Sequence, residues 1–197
     1  QLRLQNSILR FTPDFSYSTG NFSRLREQHG KLQLDSVNKT NDRFNTILKR
    51  TNWPKEFFKN KLVLECGCGA GADTEILRNL GAIVVSVDIA GLHVCKDNVG
   101  ETDQNGSLII QADITNLPFK NFTFDAVIST DVLEHVPKEE IPETLHNIYS
   151  RAERFVFLAI CTRPAIAVLP SGENAHCTLE PMSWWVEQIQ PYSKVYT

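Results

Sequence analysis

Short apolar runs alternate with amphipathic segments along the middle of the chain. Five runs have the length and composition of buried strands, at residues 62–64, 83–88, 108–110, 124–129 and 155–160. Segments with helical spacing of apolar residues lie between them, at 74–80, 93–98 and 141–151. Because parallel strands need crossover connections, this alternation predicts a doubly wound α/β fold with a mostly parallel sheet. Ligands are then expected at the carboxyl ends of the strands.

The two ends of the chain differ from its middle in their pattern of polar and apolar residues. Residues 1–60 are polar and dotted with aromatics, with a helical pattern at 42–49, so we predict a helical N-terminal cap before a core at 61–197. Residues 181–189 form an amphipathic pattern with adjacent tryptophans, Trp184 and Trp185. We expect both to pack in the core, and the alternative is that one of them lines the acceptor pocket. A sixth strand is expected to begin at 194–196. The chain opens on Gln1, which indicates a trimmed terminus or a fragment of a longer protein.

Composition narrows the class of protein. The 197 residues are 42% hydrophobic and 22% charged, which is typical of a globular protein. The formal net charge of −3 gives no basic surplus for a phosphate backbone, so nucleic acid is a disfavoured partner. No run approaches the roughly 20 apolar residues needed to cross a bilayer, so no membrane span is expected. Five scattered cysteines fit a reducing cytosol, and a cytoplasmic location is predicted.

A glycine-rich turn follows the first strand of the predicted core, in the run Glu65-Cys66-Gly67-Cys68-Gly69-Ala70-Gly71. Spaced glycines indicate that backbone passes close to a ligand or to a packed helix. The glycine spacing differs from that of dinucleotide sites, and a carboxylate at the first turn would repel a pyrophosphate. It suits a cationic or hydrogen-bond-donating ligand instead. The two cysteines have one residue between them and no second pair, so we interpret them as small packed residues rather than zinc ligands.

Three further segments end at the same predicted edge. Asp88 closes the second strand, where a carboxylate can accept hydrogen bonds from both hydroxyls of a ribose, although a helix N-cap is the alternative role. Gln111-Ala112-Asp113-Ile114 closes the third strand. The run from Phe124 to Val136 spans the fourth strand and its loop.

Together these four segments resemble the class I S-adenosylmethionine-dependent methyltransferases, over roughly residues 40–190. The resemblance implies a Rossmann-like fold, in which a complete sheet has seven strands, so the last hairpin is missing or lies in sequence beyond this chain. It also implies S-adenosylmethionine as cofactor and S-adenosylhomocysteine as product. The cofactor-binding positions that it implies are Arg43, Glu65, Gly67, Cys68, Gly69, Gly71, Asp88, Ile89, Asp113, Ile114 and Ser129.

The resemblance assigns each position a partner. Glu65, Gly67 and Gly69 would border the methionyl amino group, and Asp88 would hold the ribose hydroxyls. The adenine amino group would meet Asp113, with Ile114 against the ring, and the Ser129 backbone would contact the methionyl moiety. Arg43 is a candidate to bind the cofactor carboxylate, because a guanidinium can donate two parallel hydrogen bonds to that group. An equal alternative is that Arg43 is a solvent-exposed charge on a helix.

Candidate chemistry for the methyl acceptor follows the fourth strand. Four side chains are expected at the edge formed by the carboxyl ends of the strands. They are Asp131, Glu134 and His135 after the fourth strand and His176 after the fifth. In one interpretation these four hold a divalent metal, similar to metal-dependent O-methyltransferases of quinone biosynthesis and of small-RNA 3′ ends, which usually have Glu at the position of Asp131. In the other, Glu134 and His135 orient neighbours and His176 meets the substrate. Asp131, His135 and His176 are the candidate catalytic residues.

The predicted function is transfer of a methyl group from S-adenosylmethionine to an oxygen of a small molecule or saccharide, with a nitrogen or a carbon as the alternative acceptor atom. A non-catalytic S-adenosylmethionine-binding module of a larger protein is the rival hypothesis. A nicotinamide-dependent oxidoreductase would have the same fold class, but this hypothesis gives no role to Asp113 or to the loop 131–135. The sequence does not determine the acceptor or the oligomeric state.

Overall fold

The computed structural model describes residues 3–5, 8–10, 45, 48–49, 51–166, 168–169 and 172–193. Its strands are β1 (Arg3–Gln5), β2 (Ile8–Arg10), β3 (Leu62–Cys66), β4 (Ile83–Asp88), β5 (Leu108–Gln111), β6 (Phe124–Thr130) and β7 (Ala152–Ala159). In the described core, the α-helices are α1 (Ala72–Asn79), α2 (Leu92–Val99), α3 (Ile141–Arg151) and α4 (Met182–Ile189). Short 3₁₀ turns lie at Lys55–Phe58, Ile114–Asn116, Leu133–His135 and Lys138–Glu140.

The strands form one sheet in the order β1-β2-β5-β4-β3-β6-β7. All pairings from β2 to β7 are parallel, and β1 pairs antiparallel with β2. The predicted doubly wound α/β fold is therefore confirmed, together with the five predicted core strands. The last of these begins three residues earlier than predicted, because Ala152 already pairs with Phe124 of β6.

Alternate residues of the strands face two different helix layers. On one face, Leu64, Val85 and Val127 pack in a cluster with residues of α3 and with Trp185 of α4. On the other face, Val63 and Val84 pack in a second cluster with Leu77 of α1. Both faces of a parallel sheet are thus covered, which explains why its strands read as continuous apolar runs. Trp184 is partly buried against the first cluster, so both tryptophans pack as expected.

The first residues of the chain contribute a hairpin to the sheet. Arg3–Gln5 and Ile8–Arg10 pair with each other, and Arg10 pairs with Gln111 of β5. Our prediction of a helical cap did not include these strands, because three-residue strands give too short a pattern to detect. Residues 45 and 48–49 are helical, in agreement with the predicted helix, and the division at residue 60 stays a prediction. The expected sixth strand at 194–196 lies outside the described residues.

Within the described part of the chain, no helix has the length and apolar character needed to cross a membrane.

Candidate functional site

The carboxyl ends of the parallel strands meet at one edge of the sheet. The register pairs Cys66 with Val87 and with Ser129, and Thr130 with Ala159, so the loops after these strands lie side by side. Chain order runs outward from β3 to β4 and β5, then returns to β6 and β7 on the other side of β3. The gap between β3 and β6 is therefore the topological switch point, where α/β sheets of this kind bind ligands.

The glycine turn after β3 combines left-handed backbone angles with close packing. Gly67, Gly69 and Gly71 all have positive φ, at 83°, 58° and 93°. Gly67 lies against the loop after β6, because a Cβ built on it would come 2.2 Å from Val132 Cγ2. A Cβ on Gly71 would come 3.0 Å from Cys95 Sγ. The turn therefore needs glycine both for its backbone angles and for the close approach of its neighbours.

Glu65 lies beneath this turn, with only 3% of its surface exposed. Its Oε2 accepts hydrogen bonds from Thr74 Oγ1 at 2.6 Å and from Ser86 Oγ at 2.7 Å. Burial, with the nearby charges of Asp73 and Asp88, raises the pKa of Glu65 to about 7 despite these two hydrogen bonds. A cation beside the turn would favour its ionised form. The sequence suggested the carboxylate, but not the two hydroxyls that hold it.

Asp88 joins the turn to the end of β4. Its Oδ2 accepts from the Gly69 amide at 2.8 Å and its Oδ1 from the Ala90 amide at 3.2 Å. The N-cap of α2 is Gly91, so Asp88 does not have the alternative role of helix cap. Each carboxylate oxygen can accept more than one hydrogen bond, so the position remains suited to a ligand diol.

The remaining predicted cofactor positions lie along the same edge. Asp113 is half-buried and caps the turn Ile114–Asn116 by accepting from Thr115 N at 2.9 Å, and Ile114 beside it is buried. The Ile89 carbonyl accepts from Gln111 Nε2 at 2.7 Å, which ties the ends of β4 and β5 together. Ser129 is buried near the end of β6, and its Oγ has no hydrogen-bond partner among the described residues.

The two cysteines of the turn are small packed residues, as expected. Cys68 is buried and packs with Leu92, Cys95 and Ile109, and Cys66 is buried in the cluster on the opposite face. Burial raises the pKa of the Cys66 thiol, and a hydrogen bond with Cys95 followed by burial raises that of Cys68. Arg43, the candidate for the cofactor carboxylate, lies outside the described residues.

The loop after β6 separates the predicted catalytic residues into different environments. Asp131 is exposed, with a φ of 54° and its amide donating to the Ala159 carbonyl at 2.9 Å. Glu134 is fully buried, and its Oε1 accepts from the Cys161 amide at 3.1 Å. Burial, with the charge of Asp131, raises the pKa of Glu134 to about 7. Glu134 is therefore tied to the backbone that follows β7, and its role in either interpretation of this loop stays a prediction.

The two histidines have their Nδ1 atoms fixed by backbone carbonyls. His135 Nδ1 lies 2.7 Å from Ala175 O, and His176 Nδ1 lies 2.6 Å from Arg163 O. Since a carbonyl can only accept, both Nδ1 atoms carry the proton, and Nε2 is the basic nitrogen of each neutral ring. The rings contact edge to face, with centroids 4.7 Å apart. His176 Nε2 lies 4.0 Å from Glu134 Oε1.

The structure brings together part of the predicted metal set and adds a residue to it. Among the described residues, Glu134, Cys161 and His176 form a group whose candidate ligand atoms all lie within 4.8 Å of one another. Asp131 and His135, which the four-residue hypothesis included, are not members of this group. Cys161 was missed because it lies 27 residues from Glu134 in sequence, in no recognisable spacing.

The chain is similar in sequence to known methyltransferases. Residues 64–153 match a family model described as a methyltransferase domain. The chain is 34% identical over 80 residues to a ubiquinone biosynthesis O-methyltransferase of Bartonella quintana, covering 40% of this chain and 32% of that protein. It is 29% identical over 163 residues to the magnesium-protoporphyrin O-methyltransferase of Synechocystis, covering 76% of this chain and 67% of that protein.

A solved structure shares the fold. The crystal structure of magnesium protoporphyrin IX methyltransferase from Synechocystis with bound S-adenosylhomocysteine matches with a TM-score of 0.50 at 23% identity, over 75% of this chain and 61% of that one. The fold is that of the class I S-adenosylmethionine-dependent methyltransferases. The chain spans about a third to two fifths of the length of several curated relatives that it matches, with shares of 35%, 39% and 32%.

Proposed function

We propose that the chain is an S-adenosylmethionine-dependent methyltransferase that acts on an oxygen of a small molecule or saccharide. The observation that carries this proposal is the convergence of Glu65, Asp88 and Asp113 on one edge of the sheet, around the glycine turn at its switch point. The matched methyltransferase domain covers the same residues, from the glycine turn to the start of β7.

The donor and acceptor groups at this edge suit a cofactor without phosphates. Thr74 and Ser86 hold Glu65 through Oε2, so we assign its other oxygen, Oε1, to accept from an ammonium. Asp88 offers acceptors for a diol, and Asp113 offers one for an amino group. A pyrophosphate would instead have to approach two buried carboxylates, which electrostatic repulsion disfavours.

An oxygen acceptor is supported by the relatives. The matched proteins of Bartonella quintana and Synechocystis are both named as O-methyltransferases, of ubiquinone biosynthesis and of magnesium-protoporphyrin. The net charge of −3 gives no general attraction for a polyanion. We therefore place the acceptor among small molecules, with saccharides included.

His135 is the residue that we propose as the base for the acceptor. When bound, S-adenosylmethionine would supply an electrophilic methyl carbon for in-line displacement by the acceptor oxygen. That oxygen must lose its proton, and the bond from His135 Nδ1 to the Ala175 carbonyl leaves Nε2 as the nitrogen that can take it. Asp131, exposed on the same loop, would meet the acceptor at the rim.

His176 has a different place in this proposal. Its Nε2 faces the buried Glu134 at 4.0 Å, so it is turned toward the interior of the loop cluster rather than toward the rim. We therefore separate it from the acceptor base, although the sequence had suggested it for that role.

The test is a methylation screen with isotopically labelled S-adenosylmethionine and a panel of phenols, carboxylic acids and sugars. We expect a labelled product from at least one acceptor, and His135→Gln should lower kcat by about 10²-fold or more while S-adenosylhomocysteine affinity changes little. His146→Gln, on the exposed side of α3, is the matched control and should keep full activity. Cofactor binding without methylation of any acceptor would favour the binding-module hypothesis and contradict the proposal.

A further inference from the structure

Three side chains from separate segments meet behind the loop after β6. Glu134 comes from the turn Leu133–His135, Cys161 follows the end of β7, and His176 precedes α4. A carboxylate oxygen, the thiol sulfur and an imidazole nitrogen all lie within 4.8 Å of one another. The backbone fixes this convergence, since Cys161 N donates to Glu134 Oε1 at 3.1 Å and Thr178 N donates to the Glu134 carbonyl at 3.0 Å.

Glu134 lacks the compensation that a buried carboxylate needs. Its side chain is 0% exposed, and Oε2 has no hydrogen-bond partner among the residues that the structure describes. A carboxylate removed from water is stabilised only by a proton, by hydrogen bonds or by a cation. The Cys161 amide bonds to Oε1 and leaves Oε2 without compensation from the described residues.

His176 presents a second acceptor to the same space. Its Nδ1–H donates to the Arg163 carbonyl at 2.6 Å, so the neutral ring turns a lone pair on Nε2 toward Glu134 Oε1, 4.0 Å away. Two acceptors that face each other repel unless a proton or a cation lies between them. An imidazole whose other N–H is held by a backbone carbonyl is the usual arrangement of a histidine that binds a metal.

We propose that Glu134, Cys161 and His176 bind a zinc ion. Thiolate, imidazole and carboxylate together form a ligand set that zinc accepts, whereas magnesium and calcium prefer oxygen ligands alone. Three protein ligands leave the fourth position of a tetrahedral zinc ion for a water molecule or another ligand. This site differs from the four-residue set suggested by the sequence, because the thiol replaces Asp131 and His135 and changes the preferred metal.

Zinc binding requires the three ligand atoms to move slightly closer together. With zinc–sulfur and zinc–nitrogen bonds of ordinary length, tetrahedral ligand atoms lie about 3.6 Å apart, so separations of up to 4.8 Å must shrink by about 1 Å. Cys161 can supply this movement, because it is half-exposed and its Sγ makes only a long contact, 3.6 Å, with the Arg163 carbonyl. The thiol loses its proton on binding, and that contact is exchanged for the metal bond.

The site is independent of the proposed methyl transfer, so metal binding is measured on the full chain without cofactor or acceptor. Protein stripped with a chelator is titrated calorimetrically with Zn²⁺ and, separately, with Mg²⁺. We expect one Zn²⁺ per chain, bound at least about 100-fold more tightly than Mg²⁺. Co²⁺, used as a spectroscopic replacement, should give a thiolate-to-cobalt charge-transfer band in the near ultraviolet.

Cysteine variants identify the ligand. Cys161→Ser should weaken Zn²⁺ binding by at least about tenfold and remove the cobalt band, whereas Cys177→Ser, at an exposed neighbouring thiol, should change neither. Circular dichroism of each variant checks folding, and the half-exposed position of Cys161 makes its serine variant tolerable. His176→Gln gives a second test on a different ligand. Zinc binding that is absent in the parent chain, or unchanged in both Cys161→Ser and His176→Gln, overturns the proposal.

Discussion

At the scale of single residues, Gly67 and Val132 join the two loops that border the switch point. The φ of 83° at Gly67 and the 2.2 Å separation between its notional Cβ and Val132 Cγ2 act together. A side chain at position 67 would therefore strain the backbone and also push the loop after β6 away from the glycine turn. Position 67 thus controls the spacing between the proposed cofactor pocket and the acceptor loop.

Gly67→Ala tests this coupling. We expect it to lower the free energy of unfolding by about 2 kcal/mol more than Gly106→Ala does. Gly106 is the matched control because its φ is also positive, at 87°, but nothing lies within 4 Å of a Cβ built there. Urea unfolding of both variants measures the difference. Equal losses would show that the close approach of Val132 has no energetic consequence.

The ionisation of Glu65 makes both stability and cofactor binding depend on pH. Its folded-state pKa of about 7 exceeds its ordinary value of 4.5, so the stability linked to its protonation is present below pH 4.5 and is lost as the pH rises through 7. An ammonium bound beside it would reverse this preference by favouring the carboxylate. Cofactor binding near neutral pH should then release a proton from Glu65.

Calorimetry in two buffers checks this linkage. S-adenosylhomocysteine should bind about tenfold more weakly at about pH 6 than at about pH 8, because most Glu65 side chains are protonated at the lower pH. The isosteric variant Glu65→Gln should lose most of this difference. If the parent chain binds with the same Kd at both pH values, Glu65 does not contact the cofactor ammonium.

Residue types were easier to predict than residue partners. The sequence pointed to Glu65 and Asp88 because an acidic residue at the end of an apolar run is visible in one dimension. It did not point to Thr74 and Ser86, since hydroxyls nine and 21 residues away meet Glu65 only after α1 and β4 pack. Cys161 was missed for the same reason, because its neighbours come from two other segments.

At the scale of elements, the side chain of Asn174 links Ala165 to His176 between β7 and α4. Asn174 Oδ1 accepts from the Ala165 and His176 amides at 3.0 and 2.9 Å, and its Nδ2 donates to the Ala165 carbonyl at 2.9 Å. One amide side chain thus pairs with the backbone as a neighbouring strand would. This bracing sets the position of His176 relative to Glu134.

Asn174→Ala should loosen this segment without unfolding the protein. We expect the backbone amides of Ala165 and His176 to exchange with deuterium at least about tenfold faster, because each loses its acceptor. The free energy of unfolding should fall by only about 1–2 kcal/mol. Asn174→Asp keeps the acceptor and loses the donor, so its exchange should stay near that of the parent. Unchanged exchange in Asn174→Ala would contradict the bracing role.

The long elements followed closely from the sequence, and the short ones did not. The helix at Ile141–Arg151 has the predicted bounds, because eleven residues with a clear apolar face leave little ambiguity. The 3₁₀ turns and the hairpin of β1 and β2 were not predicted, since three or four residues carry no measurable period. Their placement depends on the sheet that they join.

At the scale of the whole molecule, the strand order gives the site its position. The alternation of strands and helices predicted a doubly wound parallel sheet, but the order β2-β5-β4-β3-β6-β7 depends on packing that a linear pattern does not contain. Once β3 is central, the glycine turn and the loop after β6 must border the same crevice. The proposed cofactor and acceptor sites are therefore neighbours as a consequence of topology.

Calorimetric titration of the purified chain with S-adenosylhomocysteine, and under the same conditions with NADH, tests the central claim most directly. The account predicts one S-adenosylhomocysteine per chain, weakened at least about tenfold in Asp88→Ala through loss of the diol acceptors, and no binding of NADH. Thermal unfolding of Asp88→Ala verifies that the variant is folded. Binding of NADH without binding of S-adenosylhomocysteine at high micromolar concentration would contradict the account.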